Sequence, residues 1–459
     1  MNNRHTMHET FSASLWSALT PETVPAQPLQ GTETCDVAVV GAGFLGLSLA
    51  LHLAEQGARV VLLEADEVGF GASGRNTGFV VPRLKGSLGQ EAVTRLIGAD
   101  YAQRLLRLVG EAGDGVFDLV KRLGIACDAE QNGFLAPAPS DATLRSVEKQ
   151  VREGNALGQP LVALDAAQTR AQLGFGAYRG ALLVPSGGQI NPLAYVRGLA
   201  RAAQAAGVTL RQGRVTQIEA DRLQAGSAPG SGGWRLSVAV GEGGDRRSDD
   251  SSPRTAFVRA ARVVLTTNAL VGQLRGDVAR SLFPFAGFQI ASQVMPEAIR
   301  ATLLPQHQPM ADMRNSPFAL RWSRDGRLVG GGASIFPTAG ALPRMAEYFA
   351  GKFNEAVPGL PAIRAEFQWR GVIAGTGDFL PRLWQSAPGL YAPIGCNGRG
   401  VALTTALGRV FAAYLNDGDA RALPVPLQAP KPFPMHALTR FGPSLWLAQA
   451  RWRDARSAR

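Results

Sequence analysis

Residues 36–46 read DVAVVGAGFLG, and this stretch decides the fold of the chain. Its first five residues are mostly apolar and rich in valine, which is typical of a buried parallel strand. The spacing Gly-x-Gly-x-x-Gly follows directly. In a nucleotide-binding turn, Gly41 permits the tight bend, Gly43 lets the backbone approach a pyrophosphate, and Gly46 lets the next helix pack close to the strand.

The residues that follow complete a βαβ unit of about 30 residues. Residues 45–55 predict a helix that ends before Gly57, and residues 59–64 predict a second strand. The helix N-terminus offers unpaired N–H groups and positive partial charge to phosphates. Glu64 ends the second strand, where a carboxylate accepts hydrogen bonds from a ribose hydroxyl. The glycine spacing alone is weak evidence for dinucleotide binding. It becomes strong evidence here because both strands, the helix and Glu64 occur at the expected positions around it.

A second glycine-rich stretch, residues 69–78, follows the unit and suits a dinucleotide bound in an extended form. No further Gly-x-Gly-x-x-Gly follows a strand, so we expect one dinucleotide site and no separate pyridine-nucleotide site. The chain has no pair of cysteines at redox spacing, which excludes disulfide reductase chemistry. These features indicate FAD, whose adenosine half would occupy the βαβ unit. FMN lacks that half.

The net charge of +11 raises the question of nucleic-acid binding. Only five of the 47 basic residues are lysines, and the arginines are scattered without a block of five or more. This pattern indicates a solvated basic surface rather than a nucleic-acid arm, so no nucleic-acid partner is expected. The three cysteines, Cys35, Cys127 and Cys396, are far apart and predict neither a disulfide framework nor a metal site. A reducing cytoplasm is therefore the expected location.

The remaining patterns outline a larger α/β protein. Residues 37–53 are apolar enough for a membrane span, but their three glycines and His52 argue against a transmembrane segment. Asn191 is the expected N-cap of a helix with Pro192 at its first position. Strands are expected at 208–215, 255–259 and 262–265, with exposed loops at 225–233 and 241–253 and a proline-rich, then basic, tail beyond Pro424.

Taken together, these motifs resemble the D-amino-acid-oxidase-type (DAO) family of FAD-dependent oxidoreductases, and are most similar to its glycine, sarcosine and γ-glutamylputrescine oxidase branch. The likeness extends from about Ser14 to Asp454, and no single motif identifies a substrate. The residues that carry it are 41–46 with Glu64, 71–76 (GASGRN), Gly187-Gly188 before Asn191-Pro192, 213–215 (GRV), 263–269 (VVLTTNA), 325–328 (DGRL), Trp369-x-Gly371 through Asp378-x-x-Pro381, and Gly395-x-x-Gly398-x-Gly400.

The resemblance implies a Rossmann-type FAD-binding domain, α/β and α+β in class, interleaved with a substrate domain on a mixed sheet. It places a discontinuous FAD-binding domain at 34–84, 185–270 and 365–418, and a substrate-binding domain at 85–184 and 271–364. Residues 1–33 are then a lead-in and 419–459 a C-terminal tail. The residues expected to bind FAD are Gly41, Gly43, Phe44, Leu45, Gly46, Glu64, Ala65, Ala72, Ser73, Gly74, Arg75, Asn76, Val215, Thr267, Asn268, Gly371, Gly398, Arg399, Gly400 and Val401.

Three of the conspicuous polar residues are candidates for catalysis. Arg399 lies in the glycine turn before a predicted helix, so its charge and the helix N-terminus would stabilise an anionic reduced flavin; the alternative is an arginine facing solvent or a phosphate. Arg321 would bind a substrate carboxylate, or is an ordinary arginine on a surface strand. Asn76, like Arg75, belongs to the loop expected near the flavin ring.

The predicted activity is oxidation of the C–N bond of a small amine or amino acid by hydride transfer, giving an imine that water hydrolyses. O2 or a quinone or electron-transfer protein is the expected acceptor. A 2-hydroxy-acid dehydrogenase is one alternative, although that chemistry requires a base and the five histidines lie outside the flavin motifs. A tRNA-modifying flavoprotein and a flavin-binding scaffold without turnover are others. FAD is expected to be held non-covalently, because the attachment positions implied by the resemblance carry Gly371 and a loop without histidine.

Overall fold

The computed structural model describes residues 9–85, 88–221, 233–241, 254–272, 274–333, 341–439 and 442–457. It confirms a mixed α/β architecture with two large sheets. The strands are β1 Gln27–Pro28, β2 Thr32–Val40, β3 Val60–Glu64, β4 Phe79–Val80, β5 Phe134–Ala138, β6 Val162–Asp165, β7 Gly180–Val184, β8 Gly188–Gln189, β9 Thr209–Gln212, β10 Arg214–Asp221, β11 Gly233–Val240, β12 Arg254–Leu265, β13 Phe283–Val294, β14 Met310–Ala311, β15 Ala319–Trp322, β16 Arg327–Ala333, β17 Ala365–Gly375, β18 Arg382–Ala387, β19 Leu390–Ile394 and β20 Leu427–Gln428.

The helices cover the sheets and connect them. They are α1 Leu15–Leu19, α2 Phe44–Glu55, α3 Gln90–Ile97, α4 Ala99–Arg122, α5 Asp141–Ala156, α6 Ala166–Leu173, α7 Pro192–Ala205, α8 Gly276–Ala279, α9 Glu297–Arg300, α10 Ala341–Ala356, α11 Gly400–Asp417, α12 His436–Thr439 and α13 Gly442–Ser457. A short 3-10 helix, Ala72–Gly74, lies in the glycine-rich loop.

The first sheet has the strand order β1-β9-β3-β2-β12-β19-β18-β20, and its central strands are parallel. Val37 and Val39 of β2 face one hydrophobic core with helices α2, α7 and α11. Ala38 and Val40 face a second core on the other side, formed with β11 and the antiparallel extension of β12. Because both faces are buried, β2 is apolar at every position from 37 to 40 rather than alternating.

The turn between β2 and α2 explains the glycine spacing. Gly41 has a φ of +109°, a conformation that glycine adopts without steric cost. A Cβ on Gly46 would lie 2.1 Å from the carbonyl oxygen of Gly41, so any side chain there would push α2 away from the strand. The segment 37–53, which by composition alone resembled a membrane span, is thus the end of a strand, a turn and most of a helix. None of the helices in the described ranges is both long and apolar enough to cross a bilayer.

The second sheet has the order β17-β13-β16-β15-β14-β5-β7-β6 and is largely antiparallel. Helix α10 packs on it through Met345, Phe349 and Phe353. Strand β17 pairs with β13 along its length, so it belongs to this sheet, whereas the expected boundary at residue 365 assigned it to the FAD-binding domain. The division into two domains otherwise stays a prediction.

The structure differs from several of the predicted strand bounds and from the predicted C-terminal tail. Residues 208–215 contain two strands, β9 and β10, while the two strands expected within 255–265 are one continuous β12. The predicted loops at 225–233 and 241–253 lie almost entirely outside the described residues. The tail expected beyond Pro424 contains β20, which extends the first sheet, and helices α12 and α13. All three cysteines are free, as predicted.

Two buried tryptophans connect the glycine-rich loop to the rest of the chain. Trp369 of β17 donates a hydrogen bond from Nε1 to the carbonyl of Arg75 at 2.8 Å, and Trp16 of α1 donates to the carbonyl of Asn76 at 2.8 Å. Both side chains are fully buried and their rings meet edge to face. The loop is therefore held from the second sheet and from the N-terminal segment.

We expect Trp369→Phe to lower the free energy of unfolding by about 2–4 kcal/mol. The phenyl ring leaves the Arg75 carbonyl without its donor and leaves part of the indole space empty. Trp384 is also buried but donates no hydrogen bond to any residue that the structure describes, so Trp384→Phe controls for lost volume. Urea denaturation of both variants measures the difference, and equal losses would show that the hydrogen bond contributes nothing.

Candidate functional site

A cavity of about 280 Å³ lies where the first sheet meets the second. It opens beside the N-termini of two helices, α2 and α11, and reaches strands of both sheets. Its walls are Gly43, Phe44, Leu45, Ala72, Ser73, Asn76, Thr77, Phe79, Val81, Phe134, Thr266, Asn268, Gln289, Ala311, Ala319, Gly331, Ile373, Pro393, Ile394, Gly395, Cys396, Gly398, Arg399, Gly400, Val401 and Thr404.

At the α2 end of the cavity, the backbone and one hydroxyl form a narrow polar cradle. The N–H of Phe44 donates to Ser73 Oγ at 3.0 Å. A Cβ on Gly43 would lie 2.9 Å from the same oxygen, so a side chain there would displace the Ser73 hydroxyl from the Phe44 N–H. The positive end of α2 makes such a cradle suitable for a phosphate.

Glu64 lies beside this cradle at the end of β3. Its carboxylate accepts hydrogen bonds from the N–H of Ala42 at 2.7 Å and of Asp66 at 3.0 Å. Burial raises the pKa of Glu64, and the two backbone donors oppose that rise. The N–H of Gly213 binds the Glu64 carbonyl, which brings Val215 on β10 to the same edge of the sheet. Glu64, Ala65 and Val215 thus lie beyond the cavity walls, on the side expected for the adenosine.

The glycine-rich loop holds its own polar side chains. Asn76 donates from Nδ2 to the carbonyls of Ala72 and Ser73 and accepts from the N–H of Gly78 at 2.8 Å. The Arg75 guanidinium is buried against the rings of Phe11 and Phe70. Asn76 lines the cavity, but its amide maintains the loop shape, and Arg75 lies outside the walls. These contacts favour structural roles over the catalytic role expected of Asn76.

Arg321 on β15 does not match either expectation. It is 2% exposed, so it is not a surface arginine. Its Nη1 donates to the carbonyls of Thr77, Gly78 and Ile190, and its Nε donates to that of Trp322. Burial lowers its pKa to about 10. Because these donors are occupied by backbone and Arg321 is not among the cavity walls, its contacts favour a structural role over carboxylate binding.

The glycine turn at 395–400 is organised by a residue that the sequence analysis passed over. Asn397 has a φ of +51° and is buried. Its Oδ1 accepts from the N–H of Thr376 at 2.9 Å, and its Nδ2 donates to the carbonyl of Gly395 at 2.7 Å. These bonds fix the turn against the end of β17. The only signal for it was its position between two glycines, where asparagine tolerates a left-handed backbone.

The cavity walls contain an unbalanced positive charge. They include Arg399 but no aspartate, glutamate or histidine. Burial lowers the pKa of Arg399 to about 10. Arg399 in turn acts on Arg83 and Lys85, whose pKa values fall to about 9 and about 8, chiefly through burial and secondarily through this repulsion. No carboxylate of the described chain forms an ion pair with these three residues.

Two further polar residues line this apolar space. The Oε1 of Gln289 on β13 is buried and has no hydrogen-bond donor among the described residues. Cys396 lines the cavity as a free thiol whose pKa is raised by burial. An acceptor without a donor costs free energy unless a ligand supplies one. Gln289 is therefore a candidate to bind an N–H or O–H group in the cavity.

The structure brings about half of the predicted site residues together around the cavity. These are Gly43, Phe44, Leu45, Ala72, Ser73, Asn76, Asn268, Gly398, Arg399, Gly400 and Val401. It places outside the walls Gly41, Gly46, Glu64, Ala65, Gly74, Arg75, Val215, Thr267, Gly371 and Arg321. A Cβ on Gly371 would lie 3.3 Å from the Cβ of Arg75, and Gly371 does not line the cavity. The far walls are Phe134, Gln289, Ala311, Ala319, Gly331 and Ile373, and all of these except Ile373 come from segments without a motif.

The residues present fit FAD. A Cβ on Gly43 would disturb the Ser73 hydroxyl of the cradle, and the Oγ1 of Thr267, two residues after β12, is buried without a hydrogen-bond partner among the described residues. Glu64 offers a carboxylate to a ribose, and the α2 N-terminus offers N–H groups to phosphate. The N-terminus of α11 adds positive partial charge at the opposite end of the cavity. The role of each of these residues toward FAD stays a prediction.

Replacing Gly43 with valine is expected to give colourless protein. Its side chain would collide with Ser73 Oγ and occupy the space where the pyrophosphate must approach. Gly115→Val on the exposed face of α4, where nothing lies within 4 Å of an added Cβ, is the matched control and should remain yellow. The ratio of flavin to protein absorbance measures the effect; full FAD retention in Gly43→Val would contradict the site.

FAD is expected to be released by acid or heat precipitation. Glycine at 371 cannot form a thioether, and Cys396 in the turn is a protonated thiol with a raised pKa. The supernatant should therefore become yellow. A precipitate that retains fluorescent flavin on a denaturing gel would show a covalent bond, and Cys396→Ser would then test the only cysteine that lines the cavity.

Comparison with known proteins agrees with this architecture. The chain is 30% identical over 426 residues to gamma-glutamylputrescine oxidoreductase of Escherichia coli K12, covering 92% of this chain and 93% of the relative. Glycine oxidase from Geobacillus kaustophilus has a similar fold, with a TM-score of 0.64 and 19% identity over 84% of this chain and 95% of that one. L-amino acid deaminase from Proteus vulgaris aligns with a TM-score of 0.66 and 15% identity, covering 88% and 99% of the two chains.

The family comparison covers most of the chain, including the βαβ unit, both sheets and the turn at 395–400. Residues 36–414 match the model of the FAD dependent oxidoreductase family, known as DAO. This match includes the cradle at Gly43 and Arg399 at the far end of the cavity. The protein therefore belongs to the DAO family of FAD-dependent oxidoreductases.

Proposed function

We propose that this protein oxidises the C–N bond of a small amine or amino acid. Bound FAD would supply the hydride acceptor at its N5 atom, and the imine product would be hydrolysed by water. The observation that carries the proposal is the cavity itself, which lies between the FAD-binding elements and the second sheet and is lined by one arginine and no acidic group or histidine.

The composition of the walls favours a neutral amine as the reacting form. A protonated amine has no lone pair to assist loss of hydride, and the positive charge of Arg399 opposes its binding. The Oε1 of Gln289 offers an acceptor for the N–H of a neutral amine without adding charge. The chain would thus bind the amine after it has lost its proton to water, and needs no base in the cavity.

The glycine turn at 395–400 would contribute to catalysis by stabilising the reduced flavin. The N-terminus of α11 carries positive partial charge, and Arg399 directly precedes its first residue. Both would stabilise negative charge that develops on a flavin during reduction. Asn397 and Thr376 hold the turn in place, so this electrostatic environment exists before the substrate arrives.

The relatives support the same class of substrate. Gamma-glutamylputrescine, glycine and L-amino acids, which appear in the names of the three similar proteins, all contain a C–N bond. The electrons would pass from the reduced flavin to O2 or to a quinone or electron-transfer protein. The cytoplasmic location expected from the cysteine pattern also stays a prediction.

The main alternative on the same fold is a 2-hydroxy-acid dehydrogenase. That reaction requires removal of a hydroxyl proton, and the cavity walls provide no histidine or carboxylate to accept it. A tRNA-modifying flavoprotein is the other alternative. It would show affinity for RNA that falls steeply with salt.

An anaerobic screen tests the proposal. The yellow protein is mixed with amines, amino acids and the matching 2-hydroxy acids without oxygen, and flavin absorbance is recorded before air is admitted. We expect at least one amine to bleach the flavin while its hydroxy analogue does not, and rapid return of colour in air would identify an oxidase. Bleaching by hydroxy acids alone would overturn the proposal, and bleaching by no small molecule together with salt-sensitive RNA binding would favour the tRNA alternative.

Arg399→Ala is expected to slow flavin reduction by the best substrate about 30- to 1000-fold, which corresponds to about 2–4 kcal/mol in the barrier. FAD content should change little, since the cradle at Gly43 is untouched. Arg95→Ala, at an exposed ion pair on α3, serves as the control. Stopped-flow reduction rates decide the outcome, and unchanged rates would place Arg399 away from the developing charge.

A further inference from the structure

Lys85 lies in an aromatic cage beside the cavity. Its ammonium nitrogen is 5.0 Å from the ring centre of Phe285, 4.8 Å from that of Phe379 and 5.4 Å from that of Trp446. The three rings come from β13, from the segment after β17 and from α13. Segments far apart in sequence therefore converge on one ammonium group, and each ring contributes a cation–π contact.

The Lys85 ammonium group lacks a hydrogen-bond acceptor within the part of the chain that the structure describes. None of the described residues accepts a hydrogen bond from Lys85 or forms an ion pair with it. The nearest acid in sequence to the cage, Asp378, is held by Arg382 at 2.6 Å. A partly buried ammonium group loses hydration, and aromatic rings replace only part of it. Lys85 thus retains three N–H donors that an anion would satisfy.

The charged groups around Lys85 also favour the binding of an anion. Arg399 repels Lys85, and only the largely protonated thiol of Cys396 acts in the opposite direction. Arg83, two residues earlier, is also repelled by Arg399, and its guanidinium binds the neutral amide of Gln150. Lys85, Arg83 and Arg399 therefore bring three cationic side chains to this region, and no carboxylate of the described chain forms an ion pair with any of them.

The cage is next to the walls of the cavity. Phe285 pairs with Ile373 across β13 and β17, and Ile373 lines the cavity. Cys396 and Arg399, which act electrostatically on Lys85, line it as well. The cage therefore adjoins the cavity through the neighbours of its residues, while Lys85 itself lies outside the walls.

Helix α13 covers this region from outside. The Asp454 carboxylate accepts from the N–H groups of Asn315 and Ser316 at 3.0 and 2.8 Å. Arg451 stacks on Tyr348 of α10 at 4.5 Å. These contacts fix the helix on the second sheet and bring Trp446 over Lys85. The whole helix lies beyond residue 414, where the match to the family ends.

We propose that Lys85 binds a carboxylate of the substrate and that α13 completes this subsite by holding Trp446 over it. The inference rests on the proposed function and deepens it. The substrate class is an amine that carries an acidic group away from the carbon that is oxidised. The amine would meet Gln289, and the acid would meet Lys85, with Arg83 and Arg399 adding attraction at longer range.

Calorimetry on the FAD-loaded protein tests the subsite without turnover. Glutarate and its neutral diamide, glutaramide, serve as matched probes because neither contains an amine that can be oxidised. We expect Lys85→Met to weaken glutarate binding about tenfold or more, as expected for loss of a charge-assisted hydrogen bond, and to leave glutaramide binding unchanged. Lys85→Arg should restore most of the affinity. Equal glutarate affinity in wild type and Lys85→Met, with FAD retained, would overturn the proposal.

The dependence of binding on pH provides an independent measurement. Because burial and Arg399 lower the pKa of Lys85 to about 8, the ammonium is charged below that pH and loses its charge above it. Glutarate affinity should therefore fall as pH rises from 7 to 9 in the wild type and stay nearly constant in Lys85→Arg. An identical fall in both proteins would assign the titration to another group and contradict the role of Lys85.

The contribution of α13 is tested separately on the same helix. Trp446→Ala removes the ring from the cage and should weaken glutarate binding several-fold, while Trp446→Phe should retain most of it. Leu445→Ala, whose side chain is 70% exposed, is the control and should have no effect. In turnover with an acidic amine, Trp446→Ala should raise KM and leave kcat unchanged. Wild-type glutarate affinity in Trp446→Ala would exclude α13 from the subsite.

Failure of this inference is distinguishable from failure of the proposed function. If glutarate binds through Lys85 but no amine reduces the flavin, the carboxylate subsite stands and amine oxidation is wrong. If amines reduce the flavin at equal rates in wild type and Lys85→Met, and glutarate affinity is also unchanged, amine oxidation stands and the subsite is wrong.

Discussion

The geometry of the site depends on the hydrogen bonds that a few buried carbonyl groups of the glycine-rich loop accept. The carbonyls of residues 75–78 accept hydrogen bonds from Trp369, Trp16 and Arg321, and each donor comes from a different part of the chain. A buried carbonyl without a donor costs free energy, so the loop has few alternative conformations. Its fixed path places Ser73 over the start of α2 and thereby shapes the cradle for the dinucleotide.

The glycine-rich loop also lines the cavity, and the residues of the cavity walls would determine which substrates can approach bound FAD. Its walls are largely apolar and carry one positive charge, so in the proposed reaction they would favour a neutral amine over a protonated one. Gln289 is one of these walls, and its Oε1 has no hydrogen-bond donor among the described residues. Lys85 lies outside the walls, in the aromatic cage next to them.

The C-terminal helix α13 is a part of this protein that lies outside the region matched by the family. The elements expected to hold FAD, from residue 36 in β2 to residue 414 in α11, lie within the family match. Helix α13 lies beyond it and is attached to the second sheet by Asp454 and Arg451. Its Trp446 lies over Lys85, so if Lys85 binds the substrate as proposed, variation in this segment would alter the surroundings of the substrate away from the dinucleotide cradle.

The sequence by itself determined the βαβ unit, the cofactor class, the cap at Asn191 and the position of Arg399 beside a helix N-terminus, because these depend on residues within about 30 positions of each other. It could not assign Arg321 or Lys85, whose partners are separated from them by hundreds of residues. It also took the segments around Trp16 and Trp446 for a lead-in and a tail, since neither has a motif. Only the tertiary structure shows that these tryptophans complete the loop and the cage, because burial and hydrogen bonding between distant segments leave no local pattern.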